Sequence, residues 1–448
     1  MLRPTILCAL ALAAGAPLRA QAPLTLGEAF RRADSAAYVN RIASGNARAR
    51  GAQATASLQG ILPSVRAEVA YVRTDNPLAA FGFTLQQRGV SSASFNPASL
   101  NYPSPVTNVS GGVVAELPII NADAWFGRAA ASSAAAAVKA GSGWTRETTR
   151  VDVTRAYFGA IFAREQVRTL ESATAAGRAH LRQAESMVSN GLATRSDALL
   201  ASVQLGQLEA QLIGARGNAG VARERLALLL GQPGDTAFTL PDSLPSAAQI
   251  RNVVTPSTRD SAATRLDVTA ARLGLEAAQR DVRRANARYI PRLNGFGRYD
   301  WNSPDQIFRG RSSYTVGVMA SWSPFAGASE IADRHAAQGR ADAARAMVEG
   351  AEAGAALERN ASQSQLAVAI AQLGIAEISV TQGAEAHRIV AKKYTGGLAT
   401  IAELLSAAAL ETQTRLGLSE ARYQAIVANA AVRQAAGADL MGLTVLEN

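Results

Sequence analysis

The chain of 448 residues has a single cysteine, Cys8, and three histidines, His180, His335 and His387. Cys8 lies in the first twenty residues, which have the order of a secretory signal: Arg3, an apolar stretch from Ile6 to Ala14, then Leu18-Arg19-Ala20 as the cut. Thr5-Ile6-Leu7 lacks the small residues expected before a lipidated cysteine. The predicted secreted chain therefore has no cysteine, which excludes disulfide and thiol chemistry. The histidines sit on helical patterns without metal-ligand spacing to acids or to each other, so neither a metal site nor a cofactor is expected. No nucleophile elbow and no phosphate loop is found, and no catalytic residue is assigned. Only 5 methionines are present, which argues against a lining for soft metals. Aromatics are scarce at 5%, and alanine dominates instead, which suggests long helices packed closely. After the signal no stretch offers 18 consecutive apolar residues, so no membrane-spanning helix is expected. A net charge of +10 would suit nucleic acid. The arginines, however, are spread along helices among acids, so solvated faces and no nucleic-acid partner are expected.

What the chain does have is a tetrapeptide written twice. Gly191-Leu192-Ala193-Thr194 returns 206 positions later as Gly397-Leu398-Ala399-Thr400. Each copy lies between two long alanine-rich helical patterns and is followed by an acid, Asp197 or Glu403. The order reads as one helix stopping and the next starting. Glycine takes the left-handed C-cap conformation, threonine caps the next helix, and the carboxylate sits in its positive first turn. The same offset links Pro118 with Pro324 and Gly231 with Gly437, so the chain reads as an internal duplication.

The predicted units are a signal over 1–20, a first repeat over 21–234, a linker over 235–263, a second repeat over 264–437 and a tail over 438–448. Each repeat starts with helical sequence, about 24–60 and about 264–289. In the first, Thr25 and Glu28 have the spacing of a capping box. The period then changes to two. Val65, Ala67, Val69 and Tyr71 face one way against Arg66 and Glu68, and after a polar loop from about Thr74 to Thr107 the alternation resumes from Val109 to Leu117. The second repeat gives Leu293 to Trp301 and Tyr314 to Trp322. Two strand hairpins, about 64–118 and about 292–323, are predicted. Long helices follow, about Ala122–Ser189 and about Ala328–Lys393, with Gly141-Ser142-Gly143 and Gly350 to Gly354 as places where they could break or bend. The hairpin tips fall near 190–197 and 394–403. In the returning helices, Leu205, Leu208, Leu212, Ala215, Ala219, Ala222, Leu226 and Leu229 alternate spacings of three and four, as coiled coils require. Leu418, Ala421, Ala425, Ala428, Val432 and Ala435 repeat the seam.

The fold class is thus mainly α with a pair of β-hairpins, in two repeats. The strands have the length to cross a bilayer with one apolar face, and Tyr71, Tyr299, Trp301, Tyr314 and Trp322 could supply interfacial rings. Four strands cannot close a barrel and an open edge cannot sit in lipid, so spanning strands imply shared barrels: eight strands from two copies, twelve from three. A soluble four-stranded sheet against the helices is the other reading.

The order of these marks resembles the TolC-type outer-membrane efflux and secretion channels. The signal, the opening Leu24-Thr25-Leu26-Gly27-Glu28-Ala29, Leu62-Pro63-Ser64 before a strand, Leu117-Pro118-Ile119 and Ser323-Pro324-Phe325 after one, and the two glycine tips carry the resemblance. It implies a homotrimer with a twelve-stranded barrel in outer-membrane lipid and a twelve-helix tunnel through the periplasm. It further implies that the tips, with Gly191, Leu192, Thr194, Gly397, Leu398 and Thr400, dock a periplasmic adaptor leading to an inner-membrane pump. Asp197, Tyr394 and Glu403 match positions that line the periplasmic constriction in such channels. Ala399 stands where a locking arginine is found, and Ser406 where a second acid is found; Arg195, close in sequence to Asp197, is a candidate to replace the missing partner. The reading from another class is a periplasmic helical-hairpin adaptor or scaffold.

Overall fold

The computed structural model describes residues 23–254, 265–307 and 309–447. The predicted signal, with Cys8, lies outside the described residues. Helices α1 (Leu26–Ala36) and α2 (Tyr38–Ala56) share the first helical stretch, parted by the extended Ala37. The Thr25 hydroxyl accepts from the Glu28 amide at 3.2 Å. Glu28 does not close the capping box, because Arg31 and Arg32 hold its carboxylate.

The sheet has the order β1 (Ser64–Thr74), β2 (Val106–Ile120), β3 (Arg292–Ser303), β4 (Arg311–Ser321), antiparallel throughout. Its register sets Ala67 beside Val113, Val113 beside Tyr299 and Tyr299 beside Tyr314. Paired residues point to the same side, so one face runs Val65, Val69, Tyr71, Val113, Tyr299, Tyr314, Val316 and Val318. The other bears Arg66, Glu68, Glu116, Arg298 and Asp300. The polar loop of the first hairpin is partly helical, with α3 (Pro77–Gln86) and α4 (Pro97–Asn101). Each starts with proline after an asparagine whose side chain accepts from the first turn, a strong N-terminal signal in a short segment. Gln87, just past α3, donates to Asn108 at 2.9 Å, and Asn108 donates to Asn302 at 2.8 Å. This pins the loop to the polar face of the sheet.

The long helices α5 (Ala122–Ser189, 68 residues) and α9 (Ser329–Thr395, 67 residues) are continuous through the glycines expected to interrupt them. Either spans roughly 100 Å. At Gly143 the reason is packing: an added Cβ would lie 2.8 Å from the Leu266 side chain, so the glycine lets α8 (Leu266–Ala287) approach α5. The returning helices are α6 (Arg195–Leu229) and α10 (Ile401–Ala435). Every residue of their two predicted seams is buried or half-buried. Near the sheet, α5 packs on α2 and α8, and α8 on α9. Towards the tips, α5 packs on α6 and α10, and α10 on α9. One edge of the chain is therefore β1, α2 and α6, and the other is β4 and α9.

The main core is a belt where the two repeats meet, with Phe30, Tyr157, Phe158, Ile161, Leu226 and Ile426 buried. The Tyr157 hydroxyl donates to the Leu24 carbonyl at 2.7 Å. The segment between the repeats joins this core through Leu240, Leu244 and Ile250, the last on α7 (Ala247–Val253). After α10, Leu440, Leu443 and Leu446 join it too.

Candidate functional site: the hairpin tips and the membrane face

The two tips are built alike, and their chemistry follows from the doubled tetrapeptide. Gly191 has φ +73° and Gly397 φ +74°, a left-handed conformation that glycine adopts without strain. The Leu192 amide reaches back to the Met187 carbonyl at 2.8 Å and the Gly191 amide to Val188 at 3.0 Å. Leu398 and Gly397 do the same with Lys393 and Tyr394, at 2.8 and 3.1 Å. These are Schellman turns, which satisfy the last carbonyls of the incoming helix. The outgoing helices open with full capping boxes. Thr194 and Asp197 exchange bonds of 2.9 and 3.4 Å, and Thr400 and Glu403 bonds of 2.7 and 3.2 Å. The same turn recurs at Gly231 and Gly437, the other glycine pair of the repeat.

The turns present their leucines outward, Leu192 73% and Leu398 82% exposed. In a Schellman turn this side chain commonly packs back on its own helix; here neither does. Asp197 is half-exposed and Glu403 exposed, and both are engaged in capping. Hydrogen bonds from Thr400, the backbone amide first, hold the Glu403 carboxyl below its ordinary range. Tyr394 lies elsewhere, only 4% exposed, between Ala184 and Ala201 of the first hairpin and Ile401 and Leu404 of the second. Its hydroxyl has no hydrogen-bond partner among the described residues. Burial, and then the Asp197 charge, push its pKa up. Half-buried Ala399 packs against this cluster, whereas Ser406 and Arg195 are exposed.

Four of the five ring positions, Tyr71, Tyr299, Trp301 and Tyr314, share the apolar face of the sheet, and Trp322 is the residue just past β4. Tyr71, Tyr299 and Tyr314 are exposed towards its loop end, and Trp301 stands edge-on to Tyr299 at 5.0 Å. Trp322 closes the helix end, donating its indole N–H to the Tyr289 carbonyl at 3.2 Å. Eight residues from Tyr314 to Trp322 span about 27 Å along a strand. Tilted by about 40°, that is roughly 20 Å of height, close to the apolar band of an outer-membrane barrel.

The sequence missed one grouping. His180 on α5 and His387 on α9 stand with ring centroids 5.6 Å apart, and His387 Nδ1 is 2.5 Å from Glu411 on α10. They lie 207 positions apart in the chain, one off the repeat offset, which was the sole hint.

A family model described as outer membrane efflux protein matches residues 41–232 and 258–438. The chain belongs to this family. The two matched segments fall one in each half of the duplication. Among solved structures, the fold is similar to the outer membrane protein VceC of Vibrio cholerae (19% identity, TM-score 0.76, covering 92% of this chain and 96% of that one). It is similar also to the CmeC outer membrane channel of Campylobacter jejuni (15%, 0.76, 92% and 85%) and to the open state of the MtrE outer membrane channel of Neisseria gonorrhoeae (16%, 0.72, 93% and 90%). No curated protein matches the sequence. As a family member the protein is an efflux channel of the outer membrane that extends into the periplasm; its family is one of channels, not of enzymes. A soluble adaptor or scaffold, the other reading of the sequence, would leave the apolar sheet face without a use.

Proposed function

We propose that three copies form one duct, with twelve strands in the outer membrane and twelve helices in the periplasm. It receives substrate from an inner-membrane pump through an adaptor docked on the tips, and the protein itself catalyses no reaction. What carries this reading is that both edges of the chain are unfinished along their whole length. β1 and β4 each have one unpaired side, which cannot face lipid. Below them α9 carries exposed Met347, Gly350, Gly354, Leu357, Ala361, Ser364, Val368, Ala371, Ile375 and Ile378. Their spacings alternate three and four, the signature of a helix seam. On the opposite edge Leu199, Val203, Gly206, Ala210, Ile213, Gly217 and Gly220 of α6 are exposed with the same alternation.

A three-fold ring lays α9 of one copy on α6 of the next and pairs β4 with the next β1. This also accounts for a stretch of α9 that is apolar enough by length and composition to cross a membrane yet mostly unburied. It is a subunit interface inside a 67-residue helix, not a span. At the tips the ring gathers three copies each of Asp197 and Glu403, the proposed constriction, with Tyr394 buried between the hairpins behind them. Six carboxylates about one axis attract cations. Native mass spectrometry in detergent tests the assembly: a trimer is expected, and a stable monomer with its β signal intact overturns it.

A further inference from the structure

His180 and His387 belong to different repeats and meet where the first helical hairpin packs on the second. His180 lies 11 residues before Gly191 and His387 10 before Gly397, so the pair stands roughly 15 Å along the helices from the tips. The rings are edge-to-face, and the Nε2 atom of each is buried without a hydrogen-bond partner among the described residues. They border a cavity of about 200 Å³. The groups around it decide its charge. From α5 come Thr169, Ser172 and His180, and from α6 Gln204 and Leu208, none charged at neutral pH. α9 brings His387, and α10 brings Glu411 and Arg415. Glu411 and Arg415 pair at 2.6 Å and cancel. Glu411 also lies 2.5 Å from His387 Nδ1, so a proton on His387 has a carboxylate beside it. One on His180 has no counter-charge among the lining groups and, with both rings protonated, sets two cations 5.6 Å apart in a partly dry site.

We propose that His180 and His387 form a proton-operated latch between the two helical hairpins: neutral, the rings pack and hold the hairpins together; doubly protonated, they repel and the hairpins part towards the tips. The directions of titration agree. Burial first, and then the neighbouring His387, lower the His180 pKa from its ordinary 6.5. A histidine whose folded pKa is depressed stabilises packing above its ordinary value and loses that contribution as pH falls below it. The latch is thus closed at neutral pH and weakens below about 6.5. Glu411 stays ionised through this range. Burial would raise its pKa, but the hydrogen bonds from Arg415 and His387 outweigh burial and leave it lowered. Tyr394 and its apolar neighbours form the next contact down, so the tips depend on both.

The inference rests on the tips being the channel's closed end, and the test separates the two ideas. Spin labels at Ser189→Cys and Lys392→Cys, in a Cys8→Ser background and in assemblies diluted with unlabelled chain, report the separation of the hairpins. The distance is expected to lengthen reversibly between pH 7.5 and pH 5. The shift should be lost in His180→Gln and in His180→Phe, which keeps a ring but takes no proton, and should persist in His335→Gln. No shift in the unaltered chain, or a shift that survives in both His180 variants, overturns the latch. If the labels move while single-channel conductance stays constant, the latch stands and the tips are not the gate.

Discussion

Leu192 and Leu398 occupy turn positions whose side chains could have covered their own helices, and both point into solvent instead. Two exposed leucines per chain give six apolar points around a trimer. Leu192→Asp with Leu398→Asp should abolish export, measured as lost resistance to effluxed compounds in cells, while native mass spectrometry still finds the trimer. Persisting export would place adaptor docking elsewhere. The acids beside them cap their helices and, in the proposed constriction, also supply charge; one substitution separates the two. Gln serves at the third position of a capping box as Glu does. Glu403→Gln therefore keeps the helix start and removes the charge. Cation selectivity in planar bilayers should fall, and unchanged selectivity would leave Glu403 as a cap alone. Tyr394 packs by its ring, and its hydroxyl bonds nothing among the described residues. Tyr394→Phe should leave conductance as it was, whereas Tyr394→Ala should raise it and destabilise the fold by about 3–5 kcal/mol. A rise with Phe would mean that the hydroxyl itself holds the closed state.

The helices and strands were legible because their signals are local. The capping threonines, the left-handed glycines and the two-residue alternation each act within one turn or one strand, and both copies say the same thing. What was not legible depends on contacts far apart in the chain. Gly141-Ser142-Gly143 looks like a break, yet α5 runs through it because α8 fills the space that a side chain would need. The loop from about Thr74 to Thr107 reads as polar and rich in Pro and Asn; its two asparagine–proline starts hold short helices. At the tips, the turns and caps could be read from the tetrapeptide, but Tyr394 sits in a cluster assembled from four helices, which no spacing reveals. Gly231 shows the same lesson in testable form. Its φ is +73°, and an added Cβ would come within 2.5 Å of the Ala36 carbonyl oxygen. Gly231→Ala should lower the unfolding free energy by about 1–3 kcal/mol, seen as a drop in the thermal midpoint. An unchanged midpoint would mean that α1 can give way at Ala36.

In the proposed assembly the molecule is one element of a ring rather than a finished body. Its belt core is closed, but its edges at β1, α2 and α6 and at β4 and α9 carry the pattern of an interior. Ile375 lies near the tip-side end of the exposed α9 seam and is 66% exposed, so a charge there harms an isolated chain little. In the proposed ring it faces α6 of the next copy, where an unpaired carboxylate would be desolvated. Ile375→Glu should therefore break the assembly. Native mass spectrometry should find monomers, and circular dichroism should show the helices kept and the β signal reduced, because four strands alone cannot close in lipid or detergent. Gln372→Glu adds the same charge at an exposed position off the seam and should leave the trimer whole. If Ile375→Glu also assembles normally, α9 does not form the contact between copies, and the seam on α6 needs a different partner.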